Sequence, residues 1–358
     1  MRKQHELEFG LTIPQGWRGG DLPLEEENDP VKQYEFSKSM AVTADSIGFD
    51  SIYAYDHFIP FYSDDRDKNI FECFTLLSSL AAITERIKIG QIVTCNSYRN
   101  PSLVAKMVST LDVISNGRVE LGIGAGWYEH EYIAYGYYFP SNVSRIKQLD
   151  ESLSIIKTMW KEKRASFEGK YYRIKEAICN PKPIQKPHPI IMIGGSGEKY
   201  LLKVVAKHAD RYNLFFGTPN EMETKISLLK EHCKSIGRDD KELQYSIVLP
   251  CIIKGTDQEV NQVLVQYKRK DKTSEEYLQY LVGGVAVGTP EKVLQGIKKY
   301  IGIGVTHFIL HFIGLDETTL RLFDANVIRI KKKVDIFWQF EICRCPRDMI
   351  QDKIHSLQ

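Results

Sequence analysis

The chain has 358 residues, enough for roughly two average domains or for one α/β barrel with insertions, and a composition 43% hydrophobic and 26% charged excludes collagen-like, fibrous and disordered classes. Lys and Arg number 48 against 46 Asp and Glu, a formal net charge of +2 that provides no field for a nucleic acid or an anionic membrane. No apolar run approaches the ~20 residues that span a bilayer, and the N-terminus Met1-Arg2-Lys3-Gln4-His5-Glu6 lacks the apolar region of a secretory signal. Seven cysteines without metal-ligand spacing suit a reducing, cytoplasmic setting.

Short apolar runs alternate with amphipathic stretches along the chain, the pattern of repeated βα units on a parallel sheet. A predicted strand at Glu8 to Thr12 precedes a helix at Val31 to Ser46, Ser51 to Tyr55 precedes Phe71 to Thr84, and Ile87 to Thr94 precedes Pro101 to Ile114. Val119 to Gly124 is followed by Ser144 to Lys161, and Ile190 to Gly194 by Lys199 to Ala209. The last three pairs are Arg211 to Phe216 with Glu221 to Ile236, Gln244 to Ile253 with Pro290 to Ile301, and Thr306 to Ile313 with Glu317 to Lys331. Eight strands alternating with eight helices predict a (β/α)8 TIM barrel rather than an open doubly wound sheet.

Local signals mark several boundaries. Asn100 before Pro101, and Thr289-Pro290-Glu291, place a capping residue ahead of a proline at the first helical position. Gly48, Gly117 and Gly237 follow helical stretches, where a C-terminal cap calls for a left-handed residue. Phe167-Glu168-Gly169-Lys170-Tyr171-Tyr172 predicts a hairpin, and Tyr267 to Gly284 a polar insertion ending in a short helix; both are expected at the barrel rim. The barrel domain is expected over 1–333. Val334 to Gln358 is expected to be a tail outside it, with Phe337, Trp338 and Phe340 docked on the surface or on a partner. Lys331-Lys332-Lys333 suits the negative end of a helix, and Cys343-Arg344-Cys345 lacks the second pair that a zinc site needs.

In a parallel barrel the chemistry gathers at the C-terminal ends of the strands. Strand 2 ends in Tyr55-Asp56-His57-Phe58, a carboxylate and an imidazole that either orient a ligand and transfer a proton or merely fasten a loop. Strand 3 ends in Thr94-Cys95-Asn96-Ser97-Tyr98-Arg99, offering hydroxyl, amide and guanidinium groups. Strand 4 runs into Gly122-Ile123-Gly124-Ala125-Gly126-Trp127-Tyr128-Glu129, whose spacing is wrong for a dinucleotide fingerprint. Its glycines suit close approach by a flat ligand, with Trp127 and Tyr128 stacking on it or packing the rim. Strand 5 ends in Gly194-Gly195-Ser196-Gly197 directly before a helix, which is either a phosphate cradle or a plain turn. His307 and His311 share one face of strand 8 without a carboxylate to complete a metal site, so no metal is expected.

The run Arg86-Ile87-Lys88-Ile89-Gly90, then Tyr98-Arg99-Asn100-Pro101, Thr110-Leu111-Asp112, Ser115-Asn116-Gly117-Arg118 and Gly122-Ile123-Gly124-Ala125-Gly126-Trp127 resembles the bacterial-luciferase-like superfamily of flavin and deazaflavin oxidoreductases. The likeness extends through Asp56-His57-Phe58, Gly194-Gly195-Ser196 and Gly288-Thr289-Pro290-Glu291, and is strongest to the branch that uses coenzyme F-420, a deazaflavin. The resemblance implies that Asp56 and His57 lie beside the cofactor ring and that a non-proline cis peptide near Gln91-Ile92 bulges strand 3 against it. It sets the cofactor phosphate on Gly194, Gly195 and Ser196; Thr94 and Asn96 after strand 3 and Trp127 after strand 4 are the further candidate cofactor contacts. Sugar-phosphate and alcohol dehydrogenases of this branch carry a glutamate where this chain has Ala125; Glu129 is the candidate replacement as a catalytic group.

Three functions follow. The first is hydride exchange between reduced coenzyme F-420 and a small organic substrate, with His57 as proton donor or ring contact. The second is a two-component monooxygenase using reduced FMN, and the third a non-catalytic flavin-binding protein on the same barrel. A homodimer is expected, with a separate reductase regenerating reduced cofactor.

Overall fold

The computed structural model describes residues 6–16, 29–61, 67–269 and 272–329. Eight parallel strands close on themselves: β1 (Glu8–Thr12), β2 (Ser51–Ala54), β3 (Lys88–Gln91), β4 (Val119–Gly124), β5 (Ile190–Gly194), β6 (Arg211–Phe215), β7 (Gln244–Ile253) and β8 (His307–Phe312). Each pairs with the next, and β8 returns to β1 with Glu8 opposite His307 and Leu11 opposite Leu310. The fold is thus the predicted (β/α)8 TIM barrel. Its strands are buried on both faces, which is why they appear in the sequence as near-continuous apolar runs.

The outer ring consists of α1 (Pro30–Ser46), α2 (Cys73–Ile83), α3 (Pro101–Ile114), α4 (Asn142–Lys161), α5 (Leu201–His208), α6 (Pro219–Ser235), α7 (Pro290–Gly302) and α8 (Glu317–Phe323). Asn100 caps α3 by accepting from the Ser102 N–H at 2.9 Å. Thr289 occupies the capping position of α7 but makes no side-chain cap bond. Gly117 and Gly237 adopt the left-handed backbone expected of them, with φ of 82° and 72°. Gly48 does not. It is small because a Cβ there would lie 2.5 Å from Asp324 Oδ1, where the last helical turn packs under α1.

Two predicted insertions are present. The hairpin pairs Ala165–Glu168 with Arg173–Ala177, its turn tied down by three amides that donate to Glu151. The excursion after β7 holds two helices, Asp257–Tyr267 and Ser274–Tyr280, before the short strand Val287–Gly288 pairs in parallel beside the end of β7. The first of these helices was not expected. Strand 3 is also shorter than predicted: it stops at Gln91, a cis Ile92-Val93 peptide follows, and pairing resumes on β4 at Thr94–Cys95. The tail at 334–358, with Cys343 and Cys345, lies outside the described residues, as does Lys331-Lys332-Lys333. Among the described residues no helix is long and apolar enough to cross a membrane.

At the N-terminal end of the barrel, strand starts converge on a buried ionic layer. Arg211, fully buried, donates to Glu120 at 2.9 Å, to Glu8 at 3.0 and 3.1 Å and to Gln244 at 2.8 Å. Lys88 adds a bond to Glu8 at 2.9 Å, and Tyr53 donates to Glu120 at 2.6 Å. Against the cost of burial, Arg211, His307 and Lys88 hold the Glu8 carboxyl down at about 2. His307 and His311 belong to the interior: His307 meets Ser51, Tyr53 and Ser246, and His311 meets Thr12 and Tyr55. Among the described residues no cluster of three or more His, Cys, Asp or Glu forms a metal site.

Candidate active site

A cavity of about 430 Å³ opens at the C-terminal ends of the strands, a volume in the range of small-molecule sites. Its floor is the irregular stretch after β3: Ile92, Val93, Thr94 and Cys95 line it. That stretch runs against glycines. A Cβ at Gly122 would sit 1.8 Å from the Gln91 carbonyl oxygen, one at Gly124 2.8 Å from Val93, and one at Gly194 2.9 Å from Val93. Gly122 and Gly124 therefore admit the protein's own strand 3, while Gly124 and Gly126 also line the cavity. Gly126, with φ of 80°, passes beneath the Tyr132 hydroxyl and the Cys95 thiol.

His57 is the imidazole at the mouth, and a buried carboxylate holds it. Its ring lines the cavity, while Nδ1 lies 2.9 Å from Glu131 Oε2. Glu131 is fully buried and also accepts from the Phe58 and Ile59 N–H groups and the Tyr98 hydroxyl. Burial works against its charge, yet the bonds from His57, Tyr98 and Phe58 hold the carboxyl below its ordinary value. A carboxylate only accepts, so the His57 proton on this side resides on Nδ1 and Nε2 is left for the cavity. Burial pushes the Tyr98 phenol up, which keeps it a donor to the same carboxylate.

The other expected residues separate into two groups. Asp56 lines the cavity, but its oxygens are committed to Arg99 at 2.8 and 2.9 Å and to the Cys95 N–H at 2.8 Å. Burial pushes its carboxyl above the ordinary value, opposed by Arg99. It fastens the loops after strands 2 and 3, with Oδ2 accepting two bonds and Oδ1 one. Arg99 in turn binds Glu72 at 2.6 Å and lies over Phe74, so it is not offered to a ligand. Glu129 is exposed in the first turn of the short helix Glu129–Ala134 and does not line the cavity. Glu131, two residues on and turned inward, is the carboxylate that meets His57.

Among the expected cofactor contacts, Ile92, Thr94, Trp127, Gly194, Gly195 and Ser196 all line the cavity. Gln91 and Asn96 do not. Gln91 is buried below it with neither amide atom partnered among the described residues, and Asn96 points to the Tyr172 hydroxyl of the hairpin at 3.4 Å. The cis peptide falls one bond later than expected, at Ile92-Val93. Gly195 uses its N–H on the Asn213 carbonyl at 3.2 Å and its carbonyl on Tyr212, so the turn presents Ser196 and Gly197 instead. Both are exposed on the cavity wall. Phe61 and Phe215 also line the cavity, as do Asn142 and Asn213, and nothing local in the sequence distinguished them from ordinary core or capping residues.

A parallel barrel with a carboxylate-oriented histidine at the C-terminal mouth defines an α/β-barrel enzyme. The model of the luciferase-like monooxygenase family matches residues 19–307, and the chain belongs to that family. It is similar to the F-420-dependent glucose-6-phosphate dehydrogenase of Kineococcus radiotolerans, 28% identical over 80% of this chain and 90% of that one. It is also similar to the FMNH2-dependent dimethylsulfone monooxygenase of Pseudomonas putida, 24% identical over 92% of this chain and 96% of that one. Among solved structures, an F-420-dependent secondary alcohol dehydrogenase in complex with an F-420–acetone adduct shares the fold with a TM-score of 0.74 at 19% identity, covering 91% of this chain and 99% of that one. The protein is therefore an oxidoreductase of the luciferase-like family, and these two relatives, by their names, divide between deazaflavin and reduced FMN.

Proposed function

We propose that the protein exchanges hydride between reduced coenzyme F-420 and a small organic substrate, with His57 handling the proton. The observation that carries this reading is the buried Glu131–His57 pair, which fixes one ring nitrogen and leaves the other for the cavity. When bound, the deazaflavin supplies a hydride, that is one hydrogen with two electrons, and becomes the oxidised form. His57 delivers a proton from Nε2 to the substrate heteroatom that gains the electron pair, and Glu131 stabilises the imidazolium from which it leaves. The residues fit a flavin-type ring: Thr94 Oγ1 is buried at the cavity without a partner among the described residues, and Ile92 and Val93 give the ring an apolar bed. Ser196 and Gly197 would receive the cofactor phosphate at the start of α5. The proposal includes a homodimer, to be tested by light scattering at micromolar concentration, and a separate reductase.

Ala125 favours a second reading. It lines the cavity where sugar-phosphate and alcohol dehydrogenases of the deazaflavin branch carry a glutamate, which leaves His57 without a second acid. The alternative is a monooxygenase using reduced FMN and oxygen. Titrating the purified chain with each cofactor by fluorescence quenching, and measuring oxygen uptake, separates them. Tighter binding of the deazaflavin and oxygen-independent turnover are expected; a preference for FMN with oxygen consumption would replace the first reading with the second.

A further inference from the structure

We propose that the substrate is an uncharged carbonyl compound with an aromatic or alicyclic body, and not a phosphorylated or carboxylated one. The inference rests on reading this cavity as the place where hydride is exchanged. Its walls are rings: Tyr55 meets Phe61 edge-on at 5.3 Å and Phe215 at 6.3 Å, His57 lies 4.2 Å from Phe61, and Trp127 stacks on Tyr128 at 5.1 Å. All of these line the cavity. Among the described residues no Lys or Arg does. Arg99 is held by Asp56 and Glu72, and Arg145 lies behind Gly126, donating to the carbonyls of Gly126 and Pro140 while its guanidinium covers Phe139.

An anion entering the end of the cavity formed by His57, Phe61 and Trp127, away from the Ser196–Gly197 wall assigned to the cofactor phosphate, would give up water for aromatic faces, which carry the negative part of the ring quadrupole, with no cation among the described residues to replace the hydration. His57 does not change that balance, because any positive charge on its ring is matched by the Glu131 carboxylate directly behind it. The site does offer a neutral substrate what it needs. Flat or alicyclic apolar surface packs on the rings, and one carbonyl oxygen accepts from Nε2 of the protonated His57 ring. Trp127, half open to solvent, lies at the rim of the cavity.

The test uses matched carbonyl compounds: cyclohexanone and benzaldehyde against 4-carboxybenzaldehyde and glucose 6-phosphate. Turnover is followed as loss of reduced deazaflavin, and binding to the cofactor-free chain is measured by calorimetry in saturating inorganic phosphate, which occupies the Ser196–Gly197 wall. The neutral compounds should exceed the anionic ones by about tenfold or more in both readouts, the scale at which a pocket rejects a mismatched group. Phe215→Arg should reverse the preference within the benzaldehyde pair, and Tyr128→Arg at the rim is the second variant should the first fail to fold. Equal or stronger binding of the anionic compounds, no binding of the neutral ones, or an unaltered ratio in the folded variants would overturn the proposal. Cofactor titration is scored separately, so failure of the hydride reading shows there while substrate preference is still read by calorimetry.

Discussion

Replacing Arg211 with Met tests whether the ionic layer at the base of the barrel holds the fold together. The guanidinium is completely buried and bridges Glu8, Glu120 and Gln244. Met preserves length and apolar volume but leaves two carboxylates and an amide oxygen short of a donor. Breaking a buried ion pair from one side costs about 3–5 kcal/mol. An independent route gives a similar figure, since holding Glu8 at about 2 against an ordinary 4.5 corresponds to about 3 kcal/mol of stability at neutral pH. Lys88, still 2.9 Å from Glu8, offsets part of the loss, so about 3 kcal/mol is expected in urea denaturation followed by circular dichroism. The acid profile carries the sharper signature. A carboxyl depressed in the fold contributes fully above its unfolded value and loses that contribution as pH falls through its folded value. Wild-type stability should therefore fall between pH about 4.5 and 2, and the variant should be flatter over that window. Adding Glu120→Gln should restore part of the loss. A variant within about 1 kcal/mol of wild type, with an unchanged acid limb, would refute the view that these pairs bear on stability.

Other substitutions address the mouth of the barrel. His57→Ala should lower kcat by about a hundredfold or more while cofactor affinity moves only a few-fold, and comparable losses in both would point to a binding role instead. Glu131→Gln should lower kcat in the same direction, because an amide no longer demands the proton on Nδ1; unchanged kcat would show that ring orientation has no bearing on turnover. Gly197→Asp should weaken cofactor binding about tenfold with the melting temperature retained, since a Cβ there meets Leu201 at an ordinary 3.5 Å. Gly195 is the poorer probe, with φ of 140° and a Cβ that would lie 2.5 Å from Leu201 Cδ2. Gly122→Ala should destabilise the barrel by roughly 1–3 kcal/mol, and a normal thermal transition would mean that strand 3 does not approach so closely.

The barrel was legible because its information is local. Each strand is an apolar run, each helix an amphipathic one, and proline or glycine marks many of the junctions. The break in strand 3 carries no such mark, since Gln91-Ile92-Val93-Thr94 has the composition of an uninterrupted strand; the family resemblance placed the cis peptide one bond early. The helix Asp257–Tyr267 was overlooked although Thr256 and Glu259 form a capping box readable from the chain. Glu131 was the more instructive miss. Its partner lies 74 residues away, and along the chain nothing separates it from Glu129 except which side of a short helix turns inward. Asp56 and Arg99 show a further limit: the sequence offered both as ligand groups, whereas the fold joins them to each other, with Asp56 still at the cavity wall.

Between the ionic layer and the cavity lies a plug of Tyr53, Tyr55, Phe61, Ile92, Met192, Val248 and Ile309, separate from the main core. It faces the charges through the Tyr53 hydroxyl and the cavity through Phe61 and Ile92. The plug is not the whole interior, because a polar thread runs beside it: Glu120 accepts from Tyr53, Tyr53 meets His307, His307 meets Ser246, and Ser246 accepts from Asn213, which lines the cavity. A charge change at the base therefore has a hydrogen-bonded route to the mouth, and a substitution at Asn213 is the wall change that would be felt at the foundation.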